Sequence, residues 1–140
     1  MVRSMKTALV SALLFASTAL AAEEIDTSNL YELSTTDSTA TVKAGQKGKW
    51  VLAIQPKAGA HVSDEAPLKI ELSGTHLKVD KAKLARADAA PGPSPKFEVP
   101  FTAETAGKGT IDAKMTFFIC TDKVCARQQK MVSLPVLINN

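Results

Sequence analysis

Two runs of alternating apolar residues flank a single pair of cysteines near the C-terminus, and this arrangement constrains the fold more than any other feature of the chain. Ile111, Ala113, Met115, Phe117 and Ile119 recur at every second position before Cys120, with Asp112, Lys114 and Thr116 between them. Val132, Leu134, Val136 and Ile138 do the same after Cys125. A period of two marks a strand with one face in a core and the other toward water. Counting from the first run puts Phe118 and Cys120 on the outer face. Counting back from the second puts Met131, Gln129, Arg127 and Cys125 there too. The two parities come from separate strands, so their agreement predicts a register. Cys120 lies opposite Cys125, Ala113 opposite Val132, Ile111 opposite Leu134, and Phe118 opposite Arg127. A single bulge in either strand would reverse every face beyond it.

The rest of the chain repeats this grammar. Trp50, Leu52 and Ile54 alternate within 49–55, and Leu68, Ile70 and Leu72 alternate with Lys69 and Glu71. Leu77 with Val79 predicts a short strand, and Phe97, Val99 and Phe101 a longer one. Residues 29–38 are polar, with an edge strand around Tyr31. The run 110–120 reads as the longest strand, and 132–138 closes the fold. Breaks fall at 56–67, at Ser73-Gly74 and at 104–109. Residues 81–89 have room for one short helical turn, and the Pro-rich stretch 87–95 reads as an extended connection. Short strands at this spacing predict an all-β, immunoglobulin-like β-sandwich with a disulfide-bearing hairpin near the C-terminus. A closed barrel is the alternative. The expected core is Trp50, Leu52, Ile54, Ile70, Val99, Ile111, Phe117, Leu134 and Val136.

The N-terminus has the features of an export signal. Arg3 and Lys6 precede an apolar run from Thr7 to Leu20, and Ala19-Leu20-Ala21 gives a small-x-small cleavage pattern. The run is shorter than the roughly 20 apolar residues of a membrane span. The expectation is a signal peptide over 1–21 and one domain over 22–140, periplasmic or secreted, with no membrane span after cleavage. The whole sequence carries 17 Lys and Arg against 14 Asp and Glu. Arg3 and Lys6 leave with the signal, and the remainder is nearly balanced, with Lys and Glu interleaved. That pattern gives no footprint for nucleic acid.

In an oxidising compartment an isolated cysteine pair is expected to be a disulfide. As a staple it is poorly sited, because closing so short a loop removes only about 2 kcal/mol of chain entropy. As a reagent it needs access, and the outer-face placement of both cysteines provides it. Asp122 opposes thiolate formation, whereas Lys123 and Arg127 favour it. Other chemistry is weaker. His61 and His76 lie apart, Met115 reads as core and Met131 as surface, so no metal site and no cofactor is assigned. No Ser stands in a Gly-x-Ser-x-Gly elbow.

An exported sandwich domain with a cysteine pair in a late hairpin, preceded by Phe117 and Phe118, resembles the periplasmic N-terminal domain of the thiol:disulfide interchange protein DsbD family. In the resemblance Cys120 and Cys125 match the family's redox pair, and residues 47–72 match the strands that support it. The family hairpin usually has one more residue between its cysteines, and an aromatic and prolines after the second; here Ala126-Arg127-Gln128 follows. The resemblance implies thiol–disulfide exchange with a thioredoxin-like or other redox protein, with Phe118 as a partial shield. No electron channel follows the hairpin here, so the electron source is expected to be a separate protein. The competing expectation is a non-catalytic binding or assembly module in which the disulfide only stiffens a hairpin. A metal carrier comes third.

Overall fold

The computed structural model describes residues 26–140; the expected signal segment and the first residues after it lie outside the described residues. Among the described residues ten strands build two sheets: β1 (Tyr31–Ser34), β2 (Thr41–Lys43), β3 (Lys47–Pro56), β4 (His61–Val62), β5 (Lys69–Thr75), β6 (Leu77–Val79), β7 (Lys83–Ala85), β8 (Lys96–Ala103), β9 (Gly107–Cys120) and β10 (Cys125–Asn139). One sheet has the order β1-β3-β8-β6 and the other β2-β10-β9-β5-β7, with β4 also pairing β9. The fold is an immunoglobulin-like β-sandwich.

The leading segment is divided between the sheets. β1 runs antiparallel to β3, and the chain then stays on β3 through Ser38, whose Oγ donates to the carbonyl of Val51 at 3.0 Å and accepts from its N–H at 2.8 Å. It next crosses to pair β2 parallel with the end of β10.

The nine residues expected in the core are all buried, joined by Phe97, Phe101, Met115 and Ile119. Val51, on the opposite face of β3 from Trp50, is buried as well, beside the Ser38 crossing. The longest strand is β10, with 15 residues, rather than β9, with 14. Residues 125–131, polar in composition, join the ladder because β9 offers them a partner along its whole length.

The break expected at Ser73-Gly74 is displaced. Ser73-Gly74 lies inside β5, and the turn falls at His76, the one non-glycine residue with positive φ (63°) among those described. A Cβ at Gly74 would stand 2.5 Å from the carbonyl oxygen of Leu77, so glycine here serves close approach and not a turn. The 81–89 stretch forms β7 and, as expected, a single short turn, the 3-10 turn Arg86–Asp88, in which Asp88 accepts from the N–H of Ala85 at 2.8 Å.

Candidate functional site

The hairpin of β9 and β10 forms in the register that parity predicts. Cys125 faces Cys120, Arg127 faces Phe118, Val132 faces Ala113 and Leu134 faces Ile111, with no bulge between. Its turn is Thr121-Asp122-Lys123-Val124. The Thr121 N–H donates to the Val124 carbonyl at 2.7 Å, and Thr121 Oγ1 accepts from the N–H groups of Lys123 and Val124, both at 3.2 Å. The side-chain oxygen replaces a carbonyl in closing the turn. Cys120 and Cys125 are disulfide-bonded with their Cα atoms 4.0 Å apart. The next pair out, 121 with 124, carries the ladder bond, so the cysteines occupy a non-hydrogen-bonded site, where opposed side chains lie nearest.

Exposure corrects one expectation. Cys125 is exposed, but Cys120 is only 2% accessible. The physical reason is β4, a strand too short to read from sequence. It lies against the far side of β9, pairing His61 with Cys120 and Val62 with Ile119. Cys120 therefore sits in the middle of a three-strand rung, His61–Cys120–Cys125. Val62 and Ile119 are both buried in the core, so the rung before them points to the opposite, outer face. His61 itself is exposed.

The next rung on the outer face is Ser63, Phe118 and Arg127. The Ser63 N–H donates to the Phe118 carbonyl at 2.9 Å. Phe118 is half-buried on the rung next to the disulfide. Arg86 reaches this corner from the 3-10 turn after β7, donating to the Ser63 carbonyl and lying 3.5 Å from Asp64. Beyond β4 a groove of about 500 Å³ is lined by Pro56, His61, Asp64, Arg86, Pro93 and Pro95, among others. The Pro-rich connection forms its outer wall.

Beneath the hairpin tip the core becomes polar. Gln128 is buried at an inward position of β10; its Oε1 accepts from the Tyr31 hydroxyl at 3.1 Å, and its Nε2 donates to Thr27 Oγ1 at 2.7 Å. Tyr31 packs edge-on against Phe117 with ring centroids 5.0 Å apart, and burial pushes its phenol above the ordinary value. This network links residues about 100 positions apart, so no local pattern announces it.

The remaining candidates separate. His61 and His76 stand at opposite ends of β9's neighbouring strands, Met115 is core and Met131 is 66% exposed. Among the described residues no three His, Cys, Asp or Glu side chains gather as a metal-ligand group, and no helix is long and apolar enough to cross a membrane.

No family model and no curated protein matches this sequence. Two solved structures are similar in outline. One is the solution NMR structure of a conjugate transposon protein (residues 27–141) from Bacteroides vulgatus, 10% identical, covering 83% of this chain and 90% of that one, with a TM-score of 0.39. The other is the crystal structure of AggA, the major subunit of aggregative adherence fimbriae type I from Escherichia coli. It is 14% identical, covers 78% of this chain and 94% of that one, and also has a TM-score of 0.39. Likeness at this level carries no argument about function.

Proposed function

We propose that this protein is an exported thiol–disulfide exchange module acting on a protein partner through Cys120 and Cys125. The observation that carries the reading is the unequal exposure of the pair, with Cys125 open to solvent and Cys120 buried. An incoming thiolate meets Cys125 first. It attacks Cys125 Sγ, the S–S bond breaks, and its electron pair leaves on Cys120 Sγ. The result is a mixed disulfide to Cys125 and a Cys120 thiolate. A second thiol of the partner then attacks the mixed disulfide and releases Cys125, so that the partner is oxidised and this pair reduced by two electrons. The reverse sequence donates those electrons onward.

Three further points support the reading. The hairpin is already held by the ladder from 107 to 138, so the disulfide adds little as a staple. The signal-like N-terminus fits export to a compartment where disulfides persist. The hairpin resembles that of the DsbD family.

Two measurements test it. The pair should have a reduction potential well above about −300 mV, the region below which structural disulfides usually lie. The lone Cys125 thiolate of Cys120→Ser should open the disulfide of an oxidised thioredoxin-like protein, releasing one of its thiols and leaving a mixed disulfide, and Cys125→Ser should not. A potential below that mark, with no mixed disulfide from either variant, overturns the proposal.

A binding or assembly module is the second reading, and one observation favours it. Among the described residues β10 has no strand partner on its outer edge between Cys125 and Val136, because β2 covers only 137–139. An open edge is a template for strand addition. A structural potential together with strand-to-strand binding by this edge would establish that reading instead.

A further inference from the structure

We infer that His61 is the charge partner of the Cys120 thiolate, a positioning residue that makes the buried sulfur able to leave. The inference rests on the exchange reading above. A thiolate buried in apolar surroundings is disfavoured, so Cys120 at 2% accessibility would by itself be a poor leaving group. The fold places His61 directly opposite it in strand register. His61 pairs Cys120 across β4 and β9, on the same outer face, and side chains in such a pair have Cβ atoms about 4.5–5.5 Å apart.

Other charged groups face this corner. Asp64 and Arg86 line the groove beside His61, and Arg86 is engaged by Asp64 and by the Ser63 carbonyl. Asp122 and Lys123 occupy the hairpin turn, and Arg127 lies beyond Phe118 on the Cys125 side. Of the described side chains, His61 is the one whose strand register sets it against Cys120 from the side away from Cys125.

When the S–S bond breaks, the electron pair arrives on Cys120 Sγ beside the His61 imidazolium. The two persist as an ion pair or the ring gives its proton to the sulfur. In the direction of reoxidation the imidazole takes the thiol proton, and the Cys120 thiolate attacks the mixed disulfide at Cys125. An imidazolium beside a thiol lowers the thiol's midpoint and raises its own.

The test isolates Cys120. In the full chain carrying Cys125→Ser, the ultraviolet absorbance of the thiolate is followed against pH, with and without His61→Asn. Loss of the imidazole should raise the thiol midpoint by about one unit, cutting the thiolate present at neutral pH roughly tenfold. His76→Asn should leave the curve unchanged. A change of less than about twofold for His61→Asn overturns the inference. A measurement that needs no substitution accompanies it. By NMR the His61 ring of the unmodified protein should titrate at higher pH after reduction than before, and an unchanged His61 curve also overturns it.

The two levels fail separately. If the titrations move but the pair has a structural potential and forms no mixed disulfide, the exchange reading falls and the Cys120–His61 pairing stands. If exchange is measured and neither titration moves, His61 alone loses its role.

Discussion

The two halves of the β9–β10 hairpin share one register and hold their inner faces by different means. Toward the base, the inward positions of β10 are Leu134, Val136 and Ile138, opposite Ile111, Gly109 and Gly107 of β9, and the three β10 residues are buried. Toward the tip the same parity delivers Ala126, Gln128 and Lys130, and Gln128 is satisfied by Tyr31 and Thr27 from the start of the described chain. The base also gains β2 along its edge, while the tip leaves Cys125 exposed. An apolar base costs little to specify and packs against many partners. A polar tip is stable only with its hydrogen bonds complete, which ties the cysteine end of the hairpin to a distant segment.

The sharpest way to break this contrast is at the base. Ile111→Ala removes a fully buried side chain and should cost about 2–5 kcal/mol, read as a shifted midpoint in urea unfolding. A loss from Ile111→Ala smaller than those of the tip substitutions would show that the base is not the more firmly held end.

At the tip, replacing Cys120 with Ala and Cys125 with Ser should leave the domain folded. The expected loss is about 2 kcal/mol, from the short loop alone. A failure to fold would make the disulfide a staple after all.

Tyr31→Phe addresses the polar network. It strands Gln128 Oε1 without its donor and should cost about 1–3 kcal/mol, whereas adding Gln128→Leu should recover part of that loss. The pH dependence has a definite sign. Burial raises the Tyr31 phenol, so its neutral form is favoured in the folded state. That contribution is complete below the unfolded value near 10 and fades as pH rises through the higher folded value. The parent should therefore lose stability in alkali more steeply than Tyr31→Phe, as alkaline unfolding curves would reveal.

The smallest effect belongs to the surface. Lys96 donates to Asp37 at 2.9 Å with both side chains well exposed, and Lys96→Ala should change stability by less than about half a kcal/mol.

How much of this was legible depends on the range of the signal. The hairpin register and the inward set were readable because period two persists through Ile111–Ile119 and Val132–Ile138 and no bulge interrupts it. The sandwich class followed from the same alternation at Trp50–Ile54 and Phe97–Phe101. The burial of Cys120 was not readable. It depends on β4, two residues long inside a stretch with the composition of a loop, and a pair of residues has no period. Gly74 misled for a related reason, since a glycine required by the nearby Leu77 carbonyl looks in sequence like one required by a turn. The Tyr31–Gln128 bond joins opposite ends of the domain, and neither residue's neighbours mark it. Local chemistry at Cys125 was visible; its surroundings were made by the fold.

The division of the leading segment between the two sheets has a mechanical consequence. The chain enters β2 at Thr41 and leaves β10 at Asn139, and the two strands run parallel from Thr41–Leu137 to Lys43–Asn139. Tension applied between the ends of the described chain reaches this pair from opposite directions. Its rungs are then sheared together instead of being unzipped one by one. Pulled from its ends, the domain should resist through these few rungs at the base of the hairpin, leaving the cysteine tip outside the line of force. Single-molecule stretching that first releases the tip would contradict this load path.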